Sequence, residues 1–225
     1  MSTIAPPQPI RIEIDGETVV SGLVQAPADA KACYVLAHGA GAGMAHAFMA
    51  ATADGLAQRG IASLRYQFPY MERGSKRTDP PAVAHAAVRA AVAQAAQRFD
   101  GLRLYAGGKS FGGRMTSQAQ AAAPIPAVEG LVFIGFPLHP DGAPSSARGE
   151  HLRQVNVPML FVQGTRDKLA DFPRMQALAT ELGARATLLE IADADHSFHV
   201  LARSGRKDAE VLQQVLDGMA AWMLR

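Results

Sequence analysis

Ala106-Gly107-Gly108-Lys109-Ser110-Phe111-Gly112-Gly113-Arg114 stands between a short apolar run at 102–106 and a stretch of helical composition at 111–122. The run predicts a buried strand and the stretch a helix, so the glycines mark a sharp strand-to-helix turn with a serine at its tip. Gly108 to Gly112 fits G-x-S-x-G. A residue at such a turn takes a strained backbone, and glycines two positions to either side keep Cβ atoms from colliding. The serine oxygen is then exposed at a helix start, where free N–H groups and the helix dipole stabilise a developing negative charge. The same five residues also occur in plain glycine-rich turns, so the rest of the chain must decide between a catalytic serine and an ordinary bend. Gly108-Lys109-Ser110 also resembles the end of a phosphate loop, G-x-x-x-x-G-K-[ST]. The place of its first glycine is held by Arg103, inside the strand, which argues against nucleotide hydrolysis.

Outward from this turn, further apolar runs at 33–37, 61–66, 131–134, 159–162 and 187–191 alternate with helical stretches at 45–59, 82–99, 172–182 and 208–224. Parallel strands need long crossovers, usually helical, so the alternation predicts an α/β fold: a mostly parallel central sheet with helices on both faces. Residues 10–24 alternate in polarity and turn at Asp15-Gly16, which predicts antiparallel strands ahead of the parallel part. The alanine-rich 82–96 is a good helix former that permits close approach to the sheet. Two irregular stretches, 71–81 and 135–150, are placed to overhang a site, and neither is long enough for a cap domain. Residues 1–225 are therefore expected to form a single domain, with its site at the carboxyl ends of the strands.

Twenty-two Lys and Arg against twenty Asp and Glu leave a net charge of +2, spread from Arg11 to Arg225 without the clustering that a phosphate backbone requires. No nucleic-acid partner is expected. Met1 to Ile10 holds no basic segment leading into an apolar one, and no run reaches the length of a membrane span, so a cytoplasmic protein without membrane attachment is expected. Cys33, the one cysteine, lies in a core strand and reads as a small buried hydrophobe rather than a nucleophile.

A second glycine loop, Leu36-Ala37-His38-Gly39-Ala40-Gly41-Ala42-Gly43, also follows a strand. In a hydrolase such a His-Gly loop supplies one donor to an oxyanion hole, and the residue after the nucleophile supplies the other. The backbone N–H groups of Ala40 and Phe111 are the candidates, with His38 shaping the loop. A dinucleotide site is the rival, but Met44 stands where its third glycine belongs.

Serine is a weak nucleophile at neutral pH and needs an imidazole to take its proton, which in turn needs a carboxylate to fix its tautomer. After the strand at 159–162 comes Gln163-Gly164-Thr165-Arg166-Asp167, and after that at 187–191 comes Asp195-His196-Ser197-Phe198-His199. Ser110, Asp167 and His196 thus follow one another in the order expected of a strand-edge triad, each in a loop past a strand. Asp171, Asp193 and Asp195 are competing acids. Asp171 suits a helix cap, and Asp195 is too close in sequence to His196 to reach it comfortably. His199 is the alternative base. His46, His85, His139 and His151 lie apart, with no spacing that would hold a metal, and no cofactor is expected. Arg65, Tyr66, Phe68 and Tyr70 follow a strand at the same edge, where they bind a substrate carboxylate or, the favoured reading, brace the loop. Lys109 and Arg114 flank the serine, although cations at a helix start are more often solvated or paired. His139, with Phe136 and Leu138, is a candidate for an acyl pocket. The candidate substrate contacts are therefore His38, Arg65, Tyr70, Lys109, His139 and His199.

These motifs, with Arg65-Tyr66-Gln67-Phe68-Pro69-Tyr70 and Phe136-Pro137-Leu138-His139-Pro140, resemble the dienelactone-hydrolase-like α/β-hydrolases from His38 to Lys207. Within them the likeness is to the branch that includes small bacterial hydrolases and a histone acetyltransferase complex subunit. The resemblance implies the α/β-hydrolase fold with little or no cap domain and a Ser-His-Asp triad. Dienelactone hydrolases themselves use cysteine where Ser110 stands. The expected activity is a carboxylesterase or thioesterase on small acyl substrates through an acyl-enzyme, in a monomer or homodimer. The expectation from another class is a catalytically idle scaffold for protein interaction.

Overall fold

The computed structural model describes residues 6–225. The reading of Met1 to Ala5 as part of a leaderless amino terminus lies outside the described residues.

The antiparallel start is a hairpin of β1 (Gln8–Glu13) and β2 (Val19–Gln25), in register from Gln8 against Val24 to Glu13 against Val19. The side chain of Asp15 accepts from the N–H groups of Glu17 and Thr18, closing the turn between them. Beyond it lie β3 (Ala32–Ala37), β4 (Ile61–Tyr66), β5 (Arg103–Lys109), β6 (Val128–Ile134), β7 (Met159–Gly164) and β8 (Ala186–Ile191). The eight strands form one sheet in the order β1-β2-β4-β3-β5-β6-β7-β8. Strand β2 joins β4 antiparallel, and every pairing from β4 to β8 is parallel. The order reverses beside β3, whose neighbours are β4 and β5, so the loops leaving β3 and β5 diverge and open a crevice at the carboxyl edge.

Two apolar clusters cover the two faces. On one, α1 (Ala47–Ala57) and α6 (Asp208–Met223) bury Met49, Leu56, Val211, Val215 and Met219 against Tyr34, Leu36, Val132 and Val162. On the other, α3 (Pro81–Arg98), α4 (Phe111–Ala122) and α5 (Phe172–Leu182) pack on Val35, Ala106, Phe133 and Phe161. Ala84, Ala87, Ala91 and Ala95 form the buried stripe of α3 at intervals of three and four, which lets that helix lie close to its neighbours. Because helices cover both faces of the sheet, β3, β4 and β7 are buried along their whole length.

Three differences from the sequence reading have local causes. Strand β5 continues through Gly107 and Gly108 to Lys109 instead of stopping at Ala106, because both glycines remain in register between β3 and β6. A short helix α2 (Pro69–Glu72) follows β4, started by the fixed φ of Pro69 at its first position. Ala147–Gln154 forms a 3₁₀ helix at the end of the stretch read as irregular. Among the described residues there is no large cap. Among the described residues, no helix is long and apolar enough to cross a membrane.

Candidate active site

Ser110 takes φ 49° and ψ −111° between β5 and α4, a conformation that costs a non-glycine residue on the order of 1–3 kcal/mol. The surroundings hold it there. Its N–H donates to the carbonyl of Ile134 at 3.1 Å, and its own carbonyl accepts from the N–H of Arg114 at 3.1 Å. The flanking glycines let the turn pass over β3: a Cβ at Gly112 would stand 2.6 Å from the Ala37 carbonyl oxygen, and one at Gly108 would fall on that same oxygen. The tight bend therefore needs glycine at both places for lack of room.

The hydroxyl of Ser110 lies 2.9 Å from Nε2 of His196, and Nδ1 of His196 lies 2.7 Å from Oδ2 of Asp167. With Nδ1 donating to the carboxylate, Nε2 is left as acceptor for the serine proton. Loops after β7 and β8 bring the acid and the imidazole to the serine. The Asp167 side chain is fully buried and the His196 side chain keeps 26% of its exposure, so the imidazole stays open to a reactant while its partner does not. Asp167 is fixed twice more, by Gln163 Nε2 donating to Oδ2 at 2.6 Å and by the N–H of Leu169 donating to Oδ1 at 2.8 Å. Gln163 itself accepts from the buried N–H of Phe136 at 2.9 Å. No role for Gln163 was expected from sequence. The available signal was a lone amide at the end of the otherwise apolar Met159-Leu160-Phe161-Val162.

The competing groups are engaged elsewhere. Asp171 caps α5 by accepting from the N–H of Arg174, and Asp195 accepts from the N–H groups of Ser197 and His199 within its own loop. His199 pairs with Asp208 at 2.8 Å on the surface, and that hydrogen bond holds its imidazole above the usual histidine range.

The glycine loop after β3 faces the serine. Among turns, loops and caps of the described residues, the N–H groups of Ala40 and Phe111 are given to no backbone acceptor. Phe111 is moreover the first residue of its helix, where an N–H has no intrahelical partner. The loop is held from behind by the segment after β4. Nε2 of His38 accepts from the N–H of Phe68, Gln67 Oε1 from the N–H of Met44, and the Tyr70 hydroxyl from the N–H of Gly41, at 2.8–3.1 Å. Arg65, buried and desolvated so that its affinity for a proton is lowered, donates to the carbonyl of Met44 at 3.2 Å.

A cavity of about 410 Å³ opens over Ser110, lined by Gly39, Ala40, Ala42, His46, Phe48, Met49, Lys109, Leu169, His196 and Ser197. It is a mostly apolar, open cleft with its reactive groups at the floor. Two expectations are corrected here. Neither 71–81 nor 135–150 lines it, and the apolar wall comes from the first turn of α1, through Phe48 and Met49. Of the six side chains expected to touch substrate, His38, Arg65, Tyr70, His139 and His199 do not line this cavity. His38 and Tyr70 are spent on the loop, as is Arg65. His139 is buried, donating to the Pro140 carbonyl and accepting from the N–H of Asp171. Lys109, half-buried, reaches the cavity wall without an ion-pair partner among the described residues, and its Nζ donates to the carbonyl of His196 at 2.7 Å. Among the described residues no group of three or more His, Cys, Asp or Glu is arranged to hold a metal ion.

A model of the alpha/beta hydrolase domain matches residues 30–224. An alpha-beta serine hydrolase homologue from Coxiella burnetii is 18% identical over 96% of this chain and 98% of that one, with a TM-score of 0.74. Dienelactone hydrolase from Anabaena variabilis is 21% identical over 98% of each chain, with a TM-score of 0.75. A serine hydrolase without a lid from Xanthomonas campestris is 19% identical over 98% of this chain and 97% of that one, with a TM-score of 0.73. At these identities the likeness speaks for the fold.

Proposed function

The chain belongs to the alpha/beta hydrolase family, and on that footing we propose that it is a serine hydrolase of small carboxylic esters or thioesters, with Ser110, His196 and Asp167 as its triad. One observation carries the reading: hydroxyl, imidazole and carboxylate form an unbroken hydrogen-bonded chain of 2.9 and 2.7 Å beside two uncommitted amide N–H groups.

In this scheme Nε2 of His196 takes the proton of the Ser110 hydroxyl as its oxygen attacks the substrate carbonyl carbon. The carbonyl π pair moves to oxygen, and the N–H groups of Ala40 and Phe111 hold the resulting oxyanion. Asp167 stabilises the imidazolium without taking its proton. Collapse of the tetrahedral intermediate breaks the bond to the leaving group, which receives the proton from Nε2. Water then repeats the sequence on the acyl-serine: His196 removes its proton, the oxyanion forms again, and Ser110 regains its hydrogen as the acid departs. The chain's own atoms and water carry every proton and electron pair. The open cleft and the lack of a large cap favour small acyl groups, laid against Phe48, Met49 and Leu169.

The test is labelling of the intact protein by a fluorophosphonate probe, followed by rates on a panel of acyl esters and thioesters from acetyl to octanoyl. Label on the wild type, absent from Ser110→Ala, with rates falling toward the longer chains, is the expected result. A folded wild type that takes no label and turns over no ester overturns the reading and supports an idle scaffold.

A further inference from the structure

Lys109 ends β5 and directly precedes Ser110. A cation at a helix start ordinarily extends into water or toward a carboxylate. This side chain is instead half-buried against the loop after β8, and among the described residues it belongs to no ion pair. Its Nζ donates to the main-chain carbonyl of His196 at 2.7 Å and lies 5.6 Å from the centre of the Phe198 ring, which stacks on Phe48 of the cavity wall. Gly135, at the end of β6, leaves the space that this needs. A Cβ there would stand 2.9 Å from the Lys109 ammonium and 3.5 Å from Cε1 and Nδ1 of His196. Ammonium and imidazole thus border the same small volume.

Burying an ammonium is costly, and a methionine would fill the same space without that cost. What the lysine adds is a charge-assisted bond, stronger than a neutral one, between the strand that presents the nucleophile and the loop that presents the base. That loop is tied at its near end to the turn after β7, with the carbonyl of Ala194 accepting from the N–H of Arg166 and the N–H of Asp193 donating to Thr165 Oγ1, and at its far end to Asp208 through the N–H of Val200. Between those ties the loop bends through positive φ at Asp193 and Phe198 and its Asp195 contacts are internal, so Lys109 supplies the bond at the His196 main chain itself.

Resting on the serine-hydrolase reading, we infer that Lys109 is a positioning residue that acts through His196, its charged ammonium clamping the main chain of the base-bearing loop to the strand carrying Ser110. Burial pushes the Lys109 amine down to about 8, against the opposing charges of Asp167 and Asp195. The other titratable groups on the same cavity are His196 itself and His46, which caps α1. Above that pH the amine loses its charge, and the clamp weakens to a neutral hydrogen bond.

The experiment compares Lys109→Arg, Lys109→Gln and Lys109→Met with wild type by kcat and KM for a p-nitrophenyl ester from pH 6 to 10, alongside thermal melts. Lys109→Met is expected to lose about tenfold to a hundredfold in kcat, with KM within about twofold, since misplacement of a catalytic group by about an ångström costs that much. Lys109→Gln keeps an N–H donor without charge and falls between, so it carries the test if the methionine variant does not fold. Lys109→Arg is expected to recover most of the loss and, being charged throughout, to lack the fall in kcat expected of wild type above about pH 8. Methionine and glutamine variants with wild-type kcat overturn the inference. So does an alkaline fall shared equally by wild type and Lys109→Arg. The low-field proton resonance of His196 Nδ1–H reads the clamp without turnover: it is present in wild type and lost or broadened in Lys109→Met. A wild type that takes no fluorophosphonate label, yet shows this difference in the resonance, would fail the hydrolase reading and leave the clamp standing.

Discussion

Replacing Gln163 by leucine isolates what holds the carboxylate of Asp167. The amide is fully buried, donates to Asp167 Oδ2 at 2.6 Å and accepts from the Phe136 N–H at 2.9 Å. Leucine fills nearly the same volume and removes both bonds. The Phe136 N–H is then buried without an acceptor, at a cost of about 1–3 kcal/mol, and the carboxylate loses a charge-assisted bond of similar worth. Together these give a loss of roughly 3 kcal/mol, which for a chain of this size lowers Tm by roughly 6–12 °C. Asp167 would keep only the Leu169 N–H and His196, so its plane is free to turn and the imidazole loses its fixed orientation. A fall in kcat of about tenfold to a hundredfold follows, with KM little changed. Calorimetry and ester turnover on the same preparation read both effects. A Gln163→Leu protein melting within about 2 °C of wild type with unchanged kcat would refute the reasoning.

Other expectations follow from the same geometry. Gly112→Ala places a Cβ 2.6–2.7 Å from the backbone of Ala37, so the elbow or β3 must shift; a loss of about 2–3 kcal/mol and much slower fluorophosphonate labelling are expected, from denaturant melts and labelling rates. Burial, together with the charges of Arg114 and His85, pushes His151 down to about 4, while in the unfolded chain it titrates near 6.5. Between those values the unfolded state holds more protons, so this contribution is complete above 6.5 and is lost progressively as pH falls toward 4. His151→Gln, which keeps a donor for the Ser117 hydroxyl, should flatten the fall of Tm with acid over that window; an unchanged slope would contradict it.

Which parts were legible in the sequence depends on how local their physics is. The elbow could be read because its glycines answer to backbone contact: no other residue fits over Ala37, so pattern and geometry coincide. The alternation of apolar runs gave the sheet and its helices, since a strand buried on both faces must be apolar throughout. The same glycines hid the true end of β5, because low strand propensity says nothing about two residues kept in register by β3 and β6. Lys109 read as a surface cation, since its partial burial comes from the loop after β8, far along the chain. The cavity wall at Phe48 and Met49 was equally hidden: their spacing fits any helix packed on a sheet, and only the position of α1 beside the glycine loop turns them toward Ser110. The neighbourhood of His139 draws it toward the site, yet both its nitrogens are engaged, Nδ1 with the carbonyl of the adjacent Pro140 and Nε2 with the Asp171 N–H at the start of α5.

The central claim is that Ser110, His196 and Asp167 act as one unit, and kinetics of single and combined substitutions test it most directly. On the most reactive ester of the panel, Ser110→Ala and His196→Ala should each depress kcat by several powers of ten, and the Ser110→Ala/His196→Ala pair by no more than the worse of the two. Losses that multiply in the double variant, or a His196→Ala protein that turns over at the wild-type rate, would contradict the account.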